Sequence, residues 1–362
     1  MWYETSLTKI LNIKLPIIQA GMAGGPTTPE LVATVSNQGA LGTLGAGYMT
    51  PEDIRIAIHN IRRLTDQTFA VNLFIPETVM LEEQKVLEMR HNLQPFYDEL
   101  GIEQPKLPNE WGGQFELQME VILEEKVPVF SFTFGTLDRH WIEKLKANGT
   151  IVIGTATTVK EAKLLEEINV DAIVAQGSEA GGHRGTFACQ AEDAMVGTMA
   201  LVPQMVDAVN VPVIAAGGIM DGRGLIACLW LGASGVQMGT VFLPAIESGA
   251  NPLYKKSLME ATEEETTVTI KFSGKAARGL KNAYIERLSD VPNEQVPDYP
   301  IQNALTQPLR KEAAKQGKSE WLSMWAGQGL RLAQSEGAEQ IIHRVMGQAS
   351  QTVQKLKNIE KD

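Results

Sequence analysis

A single imidazole stands in a glycine-rich stretch of the chain. Residues 172–185 read AIVAQGSEAGGHRG, in which a short apolar run typical of a buried parallel strand leads into a loop that holds His183. Glycines let this backbone take positive φ or approach a ligand closely. An imidazole titrates near neutrality, so it suits proton transfer or the binding of an anion. The pattern favours a functional loop over a strained surface turn with an incidental histidine.

Two more glycine turns follow apolar runs further along the chain. The first reads AAGGI at 215–219 and the second reads QMGT at 237–240. Backbone N–H groups at such turns bind phosphate when a helix begins there, and a DGRG segment follows the first turn. We therefore predict a phosphate site at both turns, with tight helix-to-sheet packing as the alternative.

Residues that are missing narrow the chemistry. No lysine occurs between Lys163 and Lys255, so the nearby loops lack a Schiff-base amine, which disfavours aldolase and pyridoxal chemistry. The same stretch has scattered carboxylates at Glu179, Asp221 and Glu247, but one histidine and no pair of ligands at i, i+4 spacing. A catalytic metal is therefore disfavoured.

Amide side chains occur where strands end. Asn72, Gln176 and Gln237 are able to donate and accept hydrogen bonds around a heterocycle that has both N–H and C=O groups, as a flavin has. The alternative is that these amides only satisfy buried backbone groups of the barrel.

The elements that position these groups alternate regularly. Helix-like segments, such as 51–65 with its apolar stripe of Ile54, Ile58, Ile61 and Leu64, separate strand-length apolar runs. The runs are 15–22, 40–47, 69–75, 127–134, 151–157, 172–178, 211–219 and 235–243. This number of βα units predicts a closed TIM (β/α)8 barrel. An open doubly wound sheet is the alternative, but the first run lacks the G-x-G-x-x-G fingerprint.

Two segments do not fit the alternation. Residues 76–126 carry helical patterns, and 244–336 contain no further barrel strand. We predict that both pack as a smaller, mainly helical lid that shapes the substrate pocket, beside a cofactor-binding barrel of 1–75 and 127–243. Residues 337–362 are predicted to form a C-terminal helix.

Composition limits the partners. The net charge of -11 and the pI of about 5.1 oppose binding to nucleic acid or an anionic membrane. Cys189 and Cys228, the only two cysteines, form no disulfide framework. Without a signal peptide or a membrane-length apolar run, the chain is expected to be soluble and cytoplasmic. Its oligomeric state is not predicted.

These motifs carry a family resemblance. The segments QGSEAGGHRG, AAGGIMDGRG and VQMGT resemble the bacterial nitronate monooxygenases, formerly 2-nitropropane dioxygenases, which are FMN-dependent TIM-barrel enzymes. The likeness covers nearly the whole chain through PIIQAGMAG, LGTLGAGY, AVNLF, FTFG, GTAT, SGKAARG and DYPIQN. The glycine motifs are shared with the flavin-dependent enoyl-acyl-carrier-protein reductases. That reaction therefore stays an alternative, as does a barrel that binds a phosphate ligand without turnover.

The resemblance assigns roles to residues. It implies that FMN contacts Asn72, Gln176, Gly181, Gly218, Gln237, Met238, Gly239 and Thr240. Gly217 is added from its turn alone, and His183 matches the active-site histidine. The implied substrate is an alkyl nitronate such as propionate 3-nitronate, which FMN and O2 oxidise to a carbonyl compound and nitrite without a hydride donor. This reaction implies a role in detoxification.

His183 has two possible roles in such a reaction. When protonated it would hold the nitronate oxygens, and when neutral it would remove the α-proton of a nitroalkane. We favour the first role, because the sequence indicates few other cations near the loop. We further expect Arg184 to pair with a carboxylate, and Ser178 and Glu179 to shape the loop. Tyr299 is a candidate for a wall of the substrate pocket, with a tyrosine packed inside the lid as the commoner alternative.

Overall fold

The computed structural model describes residues 1–77, 79–108, 111 and 114–359. Its strands, in chain order, are β1 (Ile17–Gln19), β2 (Gly42–Gly45), β3 (Phe69–Phe74), β4 (Val129–Thr133), β5 (Ile151–Ala156), β6 (Ala172–Gln176), β7 (Gly182–His183), β8 (Val213–Ala216), β9 (Gly235–Met238), β10 (Thr266–Thr269) and β11 (Ala277–Leu280). Each predicted apolar run contains one strand of the large sheet.

The large sheet closes into a barrel. Its eight parallel strands lie in the order β1-β9-β8-β6-β5-β4-β3-β2, and a parallel bridge between Ile18 and Leu41 joins the two ends. The TIM (β/α)8 prediction is therefore confirmed, and the open doubly wound alternative is wrong. Closure places the carboxyl ends of all the strands on one rim of the barrel.

Helices surround the barrel and extend beyond it. They are α1 (Ser6–Ile10), α2 (Pro29–Asn37), α3 (Pro51–Leu64), α4 (Glu83–Leu100), α5 (Phe115–Glu124), α6 (Arg139–Ala147), α7 (Val159–Glu167), α8 (Thr198–Ala208), α9 (Gly222–Trp230), α10 (Pro252–Glu260), α11 (Ala283–Arg287), α12 (Ile301–Lys315) and α13 (Ala338–Ile359). Short 3-10 turns lie at Thr240–Phe242, Glu263–Glu265, Asn293–Gln295, Ser319–Trp321 and Leu330–Leu332.

Local sequence explains these helix starts. The Thr28, Thr50 and Thr158 hydroxyls accept N–H bonds from the first turns of α2, α3 and α7, as threonine does at an N-cap. The predicted stripe of α3 is buried except for Leu64, which lies at its end and is exposed.

Apolar side chains form two main clusters. One fills the space between the barrel and its helices, and it includes α5 and one face of α13. The other joins α4 to the chain after Leu243, where the Tyr97 hydroxyl donates to the Leu305 carbonyl at 2.5 Å. We call α4 with residues 244–332 the second lobe. The residue limits of a separate lid domain stay a prediction, and residues 360–362 of the predicted terminal helix lie outside the described part.

A small antiparallel sheet links the second lobe to the barrel. β11 pairs with β10 on one side and with β7 on the other, where Ala277 lies opposite His183. The segment after Leu243 is therefore less purely helical than predicted, since these short strands give no clear alternation in the sequence. No helix of the described residues is both long and apolar enough to cross a bilayer.

Candidate active site

One cavity of about 750 Å³ opens at the carboxyl ends of the barrel strands. Its size is within the usual range for small-molecule and cofactor sites. The predicted site residues all line it: Asn72, Gln176, Gly181, His183, Gly217, Gly218, Gln237, Met238, Gly239 and Thr240. The structure thus brings together residues from four barrel strands and the loops that follow them.

The turns after β8 and β9 present free backbone donors to this cavity. Within the described residues, the N–H groups of Gly218, Gly239 and Thr240 have no acceptor. Free N–H groups at the rim of a barrel are suited to phosphate oxygens. The first residues of α9 are engaged instead, because the Asp221 carboxylate accepts from the N–H groups of Arg223 and Gly224. The DGRG segment therefore caps its own helix.

The glycines that line the cavity are needed for different reasons. A Cβ at Gly181 would lie 2.5 Å from the Gly327 nitrogen, and a Cβ at Gly217 would lie 2.8 Å from the Thr198 hydroxyl oxygen, so close packing requires both glycines. Gly239 has φ of -111°, and a Cβ there would make only ordinary contacts, the nearest 3.5 Å from Ala20 Cβ. The fold tolerates a side chain at Gly239, so its absence leaves room in the cavity.

The three predicted amide side chains also differ, since two are hydrogen-bonded within the protein and one is not. Gln176 donates to the His183 carbonyl at 3.0 Å and accepts from the Gly185 N–H at 2.8 Å, so it braces the glycine loop. Asn72 donates to the Ser131 hydroxyl at 2.9 Å. Gln237 has no side-chain hydrogen bond to any described residue, which leaves its amide available to a ligand.

A serine of the second lobe orients His183. The Nε2 atom lies 2.8 Å from the Ser273 hydroxyl oxygen, which donates to the Lys275 carbonyl at 3.1 Å. A carbonyl only accepts, so the serine proton is committed and the hydroxyl accepts from Nε2–H. This network assigns the imidazole proton to Nε2 and leaves Nδ1 as the basic nitrogen.

The surroundings of His183 keep its ring neutral. Burial, with the charges of Lys275 and Arg310, lowers the pKa of His183 to about 3. The Phe134 and Trp325 rings lie 5.8 Å and 5.3 Å from it. The lowered pKa disfavours the cationic form of His183 that the sequence suggested, because tertiary packing supplies two cations that the loop sequence does not reveal.

Other predicted loop residues have structural contacts. Arg184 is buried and donates to the carbonyls of Gly177, Gln176 and Ala194 at 2.6, 3.0 and 3.1 Å. It therefore wraps the loop backbone, and our expectation of a carboxylate partner is wrong. Glu179 accepts from the backbone N–H of Thr198 at 2.9 Å and so ties the loop to α8.

The neighbouring Ser178 carbonyl accepts from Arg278 Nε of β11 at 3.0 Å, which ties the loop to the second lobe. Tyr299 does not line the cavity. Its ring packs 6.3 Å from that of His183 and 6.0 Å from that of Phe134.

The second lobe supplies the outer wall of the cavity. Asn303, Gln307, Arg310 and Lys311 of α12 line it, whereas no described residue of 76–126 does. α4 instead packs on α12 within the apolar cluster of the second lobe. Sequence reasoning missed Ser273 and the α12 residues, although polar side chains at steps of three and four in QNALTQPLRK were a usable signal.

The chain is similar to known proteins over most of its length. A family model described as nitronate monooxygenase matches residues 4–347. A protein named probable nitronate monooxygenase, from Staphylococcus saprophyticus, is 49% identical over 353 residues, which are 97% of this chain and 99% of that protein.

Two solved structures are also similar. A nitroalkane oxidase from Streptomyces ansochromogenes has a TM-score of 0.91 and 37% identity, covering 97% of this chain and 99% of that one. FabK from Thermotoga maritima has a TM-score of 0.76 and 33% identity, covering 98% and 99%.

Proposed function

The chain belongs to the nitronate monooxygenase family, and we propose that it is an FMN-dependent enzyme that uses O2 to oxidise alkyl nitronates to a carbonyl compound and nitrite. The observation that carries this proposal is the cavity of about 750 Å³ in which His183, the Gln237 amide and the free backbone donors meet. Propionate 3-nitronate is the first substrate to test. The proposed reaction takes place in the cytoplasm.

The cavity fits FMN at the points where recognition is needed. The N–H groups of Gly218, Gly239 and Thr240 would hold the phosphate. Gln237 would meet the polar edge of the ring, while Asn72 and the loop braced by Gln176 would lie along the same cavity. When bound, FMN supplies the electron acceptor for the nitronate.

In our proposal, His183 removes the α-proton of a nitroalkane. The ring of His183, with Nε2–H held by Ser273, presents Nδ1 as a base for the α-proton of a nitroalkane. A preformed nitronate has already lost that proton. We therefore expect His183 to matter for nitroalkanes and much less for nitronates. The aromatic rings of Phe134 and Trp325 help to keep water away from the imidazole.

An oxygen electrode tests the proposal. We expect the purified, FMN-loaded protein to consume O2 and release nitrite with propionate 3-nitronate, in the absence of any nicotinamide. NAD(P)H oxidation with an enoyl thioester, and no reaction with nitronate, would instead identify an enoyl-acyl-carrier-protein reductase. A protein that binds FMN but performs neither reaction would be a binding barrel, and the proposed function would fail.

A further inference from the structure

The residue that follows β4 breaks the alternation of that strand. Along β4, Phe130 and Phe132 are buried in the apolar cluster between the barrel and its helices, whereas Ser131 lines the cavity. Thr133 continues the pattern and lines the cavity, so the next side chain is expected to point away from it. Phe134 nevertheless lines the cavity. The period of the strand therefore does not explain where its ring lies.

The backbone of Phe134 explains this placement. Its φ is +79°, in the left-handed region that a bulky side chain rarely adopts. The chain thus leaves the strand conformation at Phe134 and turns the ring toward the cavity, although glycine would take the same conformation without strain. Strained residues persist only where their surroundings hold them, and they cluster at functional sites. The strain therefore indicates that the ring itself has a function.

Contacts from the barrel and from the second lobe hold the ring in place. The centroid of the Phe74 ring lies 4.7 Å from that of Phe134, and the Lys275 ammonium lies 4.7 Å from the Phe134 centroid. Glu77 in turn lies 2.7 Å from that ammonium. A neighbouring ring and a cation over the aromatic face both stabilise such an arrangement. Because Phe134 is also 2% exposed, its ring forms a fixed wall.

This wall lies beside the imidazole of His183. The ring centroids of Phe134 and His183 are 5.8 Å apart with their planes at 81°, and the Trp325 ring lies 5.3 Å from His183. Trp325 also lines the cavity. In the proposed function the nitro-bearing carbon reacts beside His183, so the substituents of that carbon lie against these rings. In a close-packed site a hydrogen atom fits where a methyl group does not.

We propose that Phe134 is a specificity-determining residue, whose ring excludes a second alkyl group from the nitro-bearing carbon, so that the enzyme prefers primary nitronates to secondary ones. This inference rests on the proposed function, and it concerns the reacting end of the substrate. A single methyl group that does not fit reduces kcat/KM by about tenfold to a hundredfold.

Two isomeric nitronates test the proposal. Propyl-1-nitronate and propyl-2-nitronate have the same composition and charge, but only the second carries two alkyl groups on the reacting carbon. In the FMN-loaded wild type, we expect kcat/KM to be about tenfold to a hundredfold higher for propyl-1-nitronate. Phe134→Leu removes the ring, so kcat/KM for propyl-2-nitronate should rise by about tenfold, while that for propyl-1-nitronate should change by less than about threefold.

Phe132→Leu is the matched control. Phe132 lies on the same strand and is fully buried, but its ring packs between the barrel and its helices and does not line the cavity. Phe132→Leu should therefore keep the wild-type ratio of kcat/KM for the two isomers.

A thermal measurement tests the backbone argument without activity. At a residue with φ of +79°, glycine is less strained than alanine, so the melting temperature of Phe134→Gly should lie about 1–2 °C above that of Phe134→Ala. In an ordinary strand the order is reversed, because glycine loses more conformational freedom on folding. A higher melting temperature for Phe134→Ala would show that no strained backbone places the ring, and the inference would lose its basis.

The kinetic results also allow the inference to be overturned. A wild type with equal or higher kcat/KM for propyl-2-nitronate would have no preference for primary nitronates. An unchanged ratio in Phe134→Leu would show that the ring does not set the preference. Equal losses for both isomers, or release of FMN, would reduce Phe134 to a structural residue. By contrast, a wild type that oxidises neither isomer nor propionate 3-nitronate would mean that the proposed function itself has failed.

Discussion

The barrel rim and the second lobe face the same cavity with different chemistry. The rim presents mainly backbone N–H groups at Gly218, Gly239 and Thr240, whereas the lobe presents side chains such as Arg310 to the cavity and holds His183 through Ser273. Backbone donors suit a phosphate, which every FMN carries, while side chains are readily exchanged to suit a particular substrate. This difference indicates that the cofactor and the substrate are recognised by separate parts of the cavity. His183 lies at the junction, on β7 of the barrel loop and paired with β11 of the lobe.

The largest effect should follow a change at the rim. Gly239→Val places a branched side chain near Ala20 and Met22 without forcing positive φ. It should block the approach to the phosphate, weaken FMN binding by at least about a hundredfold and abolish all flavin-dependent activity. Flavin fluorescence titration measures the loss.

Gly347→Val on α13 is the matched control for Gly239→Val, because nothing lies within 4 Å of a Cβ there, and it should keep full FMN affinity. Gly218→Val is a poorer test, since its φ of +71° makes any side chain strained. Full FMN occupancy in Gly239→Val would refute the phosphate assignment.

A substitution at His183 should affect the oxidation of nitroalkanes and of nitronates differently. His183→Asn removes the basic nitrogen, so oxidation of a neutral nitroalkane should slow by about a hundredfold or more. Oxidation of a preformed nitronate should change by less than about tenfold, because no proton transfer to His183 is needed. Steady-state O2 uptake with nitroethane and ethylnitronate measures both rates. Equal loss on both substrates would contradict the base role and revive the anion-holding one.

The smallest effect should be a shift in pH dependence. Because burial and nearby cations lower the pKa of His183 to about 3, the base is active above that pH, and kcat/KM for a nitroalkane should not fall between pH 8 and pH 5. Lys275→Gln removes one cation, so it should raise the pKa of His183 and move the acid limb of the profile to higher pH.

Glu77→Gln should have the opposite effect on the pKa of His183. It removes the carboxylate that lies 2.7 Å from the Lys275 ammonium, so the charge of Lys275 is no longer balanced and the acid limb of the pH profile should move to lower pH. A wild-type acid limb near pH 6.5 would contradict a buried, neutral imidazole.

The strands and turns of the barrel rim could be predicted from the sequence because the patterns that identify them are local. Each barrel strand lies in one apolar run, and the turns at Gly218 and Gly239 come directly after β8 and β9. The closing bridge between Ile18 and Leu41 then follows from the number of βα units. Every predicted site residue lines the cavity for the same reason, because the parallel strands of a barrel end on one rim.

The lobe was not readable in the same way, because its contacts join distant parts of the chain. β7 is only two residues long, and its pairing of His183 with Ala277 depends on the folded lobe. The lowered pKa of His183 likewise comes from tertiary burial and from Lys275 and Arg310, which are far away in the sequence. Arg184 was misjudged for a related reason, since its partners are carbonyls that the loop itself brings around it.

A crystal structure of the FMN complex tests the separation of rim and lobe most directly. The account predicts phosphate oxygens within hydrogen-bond distance of the N–H groups of Gly239 and Thr240, the flavin ring beside Gln237 and His183, and Arg310 free of contact with the phosphate. A phosphate bound by Arg310 and Lys311, with the rim N–H groups unused, would contradict it.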